Sequence, residues 1–419
     1  MAQKDKAQLK KDLFWNTLGS FVYAAGNAVL AFLVMRIAGE EDGGIFGFGF
    51  STFGQQMFII AYFGIRPFHI TDVRREYGFS VYRRARILTS LLAVAAALLY
   101  LGVLSLSGMY TPRKALIIFL LALYKIADGY ADVYESECQR DGFLWRGGRE
   151  LCFRTVLVSA VFLTALAKTG NLITAALPAV VCQAAAILFF RSRLLRDPSA
   201  SAQMDTVSDG TVKELLGSTL LLFFSVFLDF YVFSGVKYAI DAKLGDAASG
   251  VFNILFMPTS VIYLAANFVI KPYMTLMAER LENKDQVGFI KMRRRIALII
   301  LGLTAAGLLC VILLGGWALG VFEWILGDAY QGSLTGHTGD LFLIILGGGL
   351  YALANLYYYV LVIKRRQKAI FLVYLSAAAV TLFAAPWIVG SFGITGASAG
   401  YAALMSLLLF GMKLCDLLS

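Results

Sequence analysis

Two stretches place ionisable side chains where hydrocarbon is expected. In LLGSTLLLFFSVFLDFYVFSGVKYAID, from Leu215 to Asp241, the run is long enough to cross a bilayer. Asp229 stands about 21 Å along it if helical, and Lys237 falls close to the far boundary. A charge in hydrocarbon costs several kcal/mol unless it faces a wet cavity or a partner, so Asp229 marks a candidate site. A carboxyl there can take up and release a proton or hold a cation. A hydrogen bond to a polar group on another span is the competing account.

The second stretch, ALIIFLLALYKIADGYADVYESE from Ala115, is the most highly charged of the apolar runs. It sets Lys125 about 15 Å along the helix, near the midplane, with Asp128, Asp132 and Glu135 following. At 3.6 residues per turn the four fall within an arc of about 80°, a charged face that must avoid lipid. Lys125 suits an anionic substrate and Asp128 an ion-coupling role. An internal pair between these two, three residues apart, is the structural alternative. Arg36 and Lys237, at outer ends of spans, suit a phosphate headgroup, although snorkelling to the interface accounts for either more cheaply.

The elements that must position these residues follow from composition. The chain has 419 residues, 59% hydrophobic and 15% charged, which is too apolar for a soluble domain. Apolar runs predict twelve transmembrane helices, six before and six after a Pro, Ser, Asp and Gly-containing connection. The expected division is 1–192, a cytoplasmic linker 193–213, and 214–419. With the amino terminus inside, thirty of the 37 basic residues fall in inner segments and six in outer ones. That bias predicts a multi-pass protein with both termini cytoplasmic. The net charge of +10 therefore points to membrane lipids and excludes nucleic acid. A trace of parallel repetition survives in FGIRPF, with Arg66, and FVIKPY, with Lys271. Five scattered cysteines suggest free thiols and no metal. The longest outer segment, about 315–340, is short and lacks a basic residue for a carrier phosphate, so no enzyme and no cofactor are expected.

VMRIAGEEDGGIFGFGFS from Val34, ITDVRREYGFSVYRRARILTS from Ile70, VKYAID from Val236 and FMPTSVIYLAANFVIKPYMTLMAE from Phe256 carry a resemblance. They resemble, in order and spacing, segments of Wzx-type polysaccharide flippases of the multidrug, oligosaccharidyl-lipid and polysaccharide exporter superfamily. The resemblance implies an all-α, MATE-like fold with two six-helix lobes around a central cavity. It implies alternating access, and a lipid-linked oligosaccharide moved from the inner to the outer leaflet of a bacterial plasma membrane. Proton or sodium coupling and contacts with polysaccharide polymerase machinery are implied as well. Only Arg36, within MRIAG, and Lys237, within VKYAID, carry over as substrate-binding residues. A cation-coupled drug exporter of the same fold is the alternative function.

Overall fold

The computed structural model describes residues 6–72, 75–195 and 210–418. Its order is α1 (Lys6–Phe48), a π-helical turn (Gly49–Phe53), α2 (Gly54–Tyr62), α3 (Ile65–Thr71), α4 (Phe79–Leu106), α5 (Pro112–Arg140), α6 (Leu144–Thr169) and α7 (Leu172–Leu195). There follow α8 (Val212–Lys243), α9 (Asp246–Glu282), α10 (Gln286–Leu326), two 3-10 turns, α11 (Thr338–Ile363) and α12 (Gln367–Leu417).

Eight helical stretches are long and apolar enough to cross a membrane. The first, Lys10–Tyr62, has 53 residues and the last 51. As straight helices each would extend about 80 Å, more than twice the hydrocarbon thickness. Neither is straight, because each breaks at a glycine with positive φ: Gly39 (φ 80°) and Gly393 (φ 61°). Only glycine adopts such a conformation without steric cost. Two crossings from each of these stretches, one from each of the other six, and one each from α5 and α9 give twelve spans. The fold is the all-α, polytopic one that the apolar runs predict.

The chain separates into two compact units, Met1–Phe227 and Leu228–Ser419, so the division falls within α8. Most of the connection expected at 193–213 lies outside the described residues. In the first unit α1 crosses α6 at a pair of glycines. An added Cβ on Gly19 would overlap the Gly148 carbonyl, and one on Gly148 would overlap the backbone of Trp15 and Asn16. Small residues permit this close backbone approach between membrane helices. Gly148→Ala is expected to destabilise the protein by roughly 1–3 kcal/mol, because the obstructing atoms are backbone and cannot rotate away. Gly102→Ala, where an added Cβ meets nothing within 4 Å, is the matched control. It should leave the thermal midpoint in detergent unchanged or raise it, since alanine is the better helix former.

Candidate functional site

The charged face of α5 is held by its neighbours. Thr111 caps the helix by accepting from Lys114 N at 3.2 Å, and Pro112 occupies the first turn, where a missing N–H costs nothing. From there α5 buries Lys125, Asp128 and Asp132 within the first unit.

Asp128 is bound from three helices. Its Oδ1 accepts from the Arg154 guanidinium on α6 and from Gln183 Nε2 on α7 at 2.5 Å; its Oδ2 accepts from the Tyr23 hydroxyl on α1 at 3.2 Å. Arg154 also donates to Glu135 at 2.9 Å and to Glu150 at 2.7 Å, so one buried guanidinium joins three carboxylates. Asp132 pairs with Arg66 and with the fully buried Arg86, and accepts from Ser136 at 3.2 Å. Arg86 reaches further, donating to the carbonyls of Ala61 and Tyr62, where Thr89 adds a bond to Ala61 O at 2.7 Å. These carbonyls end α2 and have no helical partner of their own, which is why a cation is stabilising there.

Lys125 takes no part in this network. Its ammonium lies 3.8 Å from the centre of the Phe50 ring, 5.6 Å from Tyr23 and 5.9 Å from Tyr124. Among the described residues no carboxylate comes within ion-pairing distance of it, so the expected alternative of a Lys125–Asp128 pair is not formed. Asp128 is instead committed to Arg154. Gly54 gives the lysine its room, since an added Cβ there would stand 3.1 Å from Lys125 Cγ.

Beyond the end of α2, α3 and the last turn of α5 form a polar knot. His69 is fully buried, stacks on Tyr82 at 3.9 Å between ring centres, and faces Glu137 at 2.6 Å. Arg140 donates to Glu137 at 2.7 Å, and Arg75 donates to Asp141 at 2.5 Å. Burial, with Glu137 nearby, pushes the Asp141 carboxyl up to about 6. Between its unperturbed value, about 4, and about 6, the folded chain holds a proton that the unfolded chain has released, so rising pH withdraws stability in that window. The thermal midpoint of Asp141→Asn is therefore expected to gain on that of the wild type as pH rises from 5 to 7. The relative gain should be on the order of 1 kcal/mol. A gap that is flat with pH would sink this assignment.

In the second unit, the Tyr351 hydroxyl on α11 donates to Asp229 Oδ2 at 2.9 Å, and Tyr374 on α12 is a second phenol directed at the carboxylate. Among the described residues no cation comes within ion-pairing distance of Asp229. Lys237 is buried with its ammonium 4.1 Å from the Phe256 ring centre, and among the described residues it pairs with no carboxylate. Arg36 is exposed, near the break at Gly39. The Lys271 side chain lies outside the described residues.

Among the described residues no group of three or more His, Cys, Asp or Glu side chains is placed to hold a metal ion. The sequence analysis did not single out Arg154, Arg86 or Gln183, which the structure makes the partners of the α5 acids.

The sequence matches no protein-family model and no curated protein. Solved structures do match over nearly the whole chain. An inward-facing multidrug resistance MATE family transporter of the MOP superfamily is 10% identical, with 97% of each chain covered and a TM-score of 0.70. The chain has the MATE transporter fold. The MATE multidrug transporter DinF-BH, solved as a complex, is 15% identical at a TM-score of 0.66, with 99% of this chain and 96% of that one covered. A MOP superfamily transporter from Pyrococcus furiosus, described as having a binding pocket of reverse polarity that suggests a different function, is 13% identical. Its TM-score is 0.59, with 98% of this chain and 95% of that one covered. At these identities the likeness extends to the fold, which places this chain among multi-pass membrane proteins whose twelve helices form two lobes.

Proposed function

We propose that this protein is an alternating-access flippase that carries a lipid-linked oligosaccharide, on an undecaprenyl-pyrophosphate-like carrier, from the inner to the outer leaflet of a bacterial plasma membrane. The reading is carried by one observation made in each unit: a buried lysine, Lys125 or Lys237, set against aromatic rings with no carboxylate in ion-pairing distance among the described residues. A buried ammonium left without a counterion is costly, and an anionic substrate group relieves that cost on binding. Nearby rings offer stacking surfaces for sugars. The acids of α5, by contrast, are already occupied by arginines and offer little to a cationic substrate. Arg36, exposed at the end of the first span, suits first or last contact with the pyrophosphate. Polysaccharide polymerase machinery is the partner this role implies.

Asp229 supports ion coupling, since phenols bind it and, among the described residues, no cation does. Asp128, held by Arg154 and Gln183, is the weaker choice for that role. Asp229 also favours a second reading, a cation-coupled exporter of organic cations. Proteoliposomes separate the two. The flippase reading expects wild-type protein to translocate a fluorescent undecaprenyl-pyrophosphate saccharide far faster than empty vesicles. Failure of the folded wild type to do so, together with efflux of an organic cation that is lost in Asp229→Asn, would establish the exporter instead.

A further inference from the structure

Helices α6 and α7 run antiparallel, joined at Gly170 and Asn171, so the start of α6 and the end of α7 lie at the same end of the pair. On α6, Arg146, Arg149, Phe153 and Leu157 follow at spacings of three, four and four, which places them on one face. On α7, Ala185, Phe189 and Arg193 repeat every four. The two stripes line a cavity of about 570 Å³ in the first unit, within the size range of small-molecule sites. Its wall is apolar and open, with Phe153 62%, Leu157 51% and Phe189 60% exposed, as lipid-facing residues are. Its mouth is basic, where Arg193 stacks over Phe189 at 4.9 Å and Arg149 over Trp145 at 4.9 Å. Glu150 and Arg154 form the floor. Glu150 Oε1 accepts from Arg154 at 2.7 Å, whereas Glu150 Oε2 is buried with no hydrogen-bond partner among the described residues.

We infer that this groove binds an anionic glycerophospholipid with a hydroxyl-bearing headgroup, of the phosphatidylglycerol class. Three arginines at the mouth match a phosphate through charge-assisted hydrogen bonds. With Glu150 and Arg154 offsetting each other, the lining has net positive charge, which favours an anionic headgroup over a zwitterionic one. The headgroup hydroxyl supplies the donor that Glu150 Oε2 lacks, and an acyl chain lies along Phe153, Leu157 and Phe189. The small side chain of Ala185 keeps the groove open. The basic end of this helix pair is the one that the distribution of Lys and Arg puts at the cytoplasmic surface, where anionic lipids concentrate. The site stands apart from Lys125 and does not depend on the translocation reading.

Native mass spectrometry of the delipidated full chain, titrated with dioleoyl phosphatidylglycerol or dioleoyl phosphatidylcholine, tests the site. The expected result is one retained phosphatidylglycerol, favoured at least fivefold over phosphatidylcholine. Retention should fall at least fivefold in Arg149→Gln/Arg193→Gln and in Ala185→Trp, which fills the groove. All three positions are exposed, so these variants leave the core intact. Equal retention by wild type and both variants would overturn the proposal, as would equal binding of the two lipids. Displacement of the lipid by free glycerol phosphate at the same concentration would reduce the ligand to its headgroup and overturn the lipid assignment.

Discussion

Replacing Lys125 with methionine is expected to lower lipid-linked saccharide translocation at least tenfold without lowering the thermal midpoint of the protein. The two halves of this expectation have one cause. The Lys125 ammonium has one close cation–π contact, with Phe50 at 3.8 Å, worth about 2 kcal/mol when desolvated, while Tyr23 at 5.6 Å and Tyr124 at 5.9 Å lie near the limit of the interaction and add little. Against this stands the cost of burying a charge without a carboxylate partner, which is several kcal/mol. Methionine keeps the length and most of the apolar contact, and removes the buried charge together with its cost. Stability is therefore unchanged or improved, the sign expected of a residue kept for function at the expense of stability. Tenfold corresponds to about 1.4 kcal/mol, well below the 2–5 kcal/mol typical of truncating a buried charged contact with a ligand. Lys125→Arg, which keeps the charge, should retain more activity than Lys125→Met. Full translocation by a correctly folded Lys125→Met protein would remove this lysine from the substrate path, and a large drop in its thermal midpoint would make it structural.

The contrast between Lys125 and Asp128 marks the limit of what the sequence makes legible. Helical spacing correctly puts both on a charged, buried face of α5, since that depends only on 3.6 residues per turn and on the cost of charge in lipid. It does not reveal how the face divides. Asp128 turns to Arg154, which is 26 residues away on α6, and Lys125 turns to rings on α1, on the π-helical turn and on α5 itself. Arg154 reads in sequence as one more cation at the inner end of a span, with the same signal as a snorkelling residue. The twelve crossings were legible from apolar runs because each has to match the bilayer. The glycine breaks at Gly39 and Gly393 were not, because glycine is common in these helices and only the backbone angles single out two. Asp229 was visible as a lone acid, but its tyrosine partner at 351 lies 122 residues on and belongs to no local pattern.

Arg154→Ala is expected to have the opposite signature, a structural collapse in which activity is lost because the fold is. Its guanidinium is the shared partner of Asp128, Glu135 and Glu150, and its side chain is 3% exposed. Removing one partner of a buried ion pair costs about 3–5 kcal/mol, because the remaining charge stays buried and uncompensated. Here three carboxylates share the loss, on α5 and α6. Gln183 and Tyr23 still donate to Asp128, while among the described residues Glu135 keeps only the more distant Arg66, at 3.7 Å. The variant should accumulate poorly in the membrane and unfold at a clearly lower temperature in detergent. Arg154→Lys restores the charge but not the planar fork that reaches all three acids, so it should recover only part of the loss. Adding Asp128→Asn to Arg154→Ala removes one of the stranded charges. The double variant should therefore be more stable than Arg154→Ala alone, a non-additivity that a double-mutant cycle reads directly. Strict additivity of the two substitutions would mean that Arg154 and Asp128 do not stabilise each other, and the buried network would lose its centre.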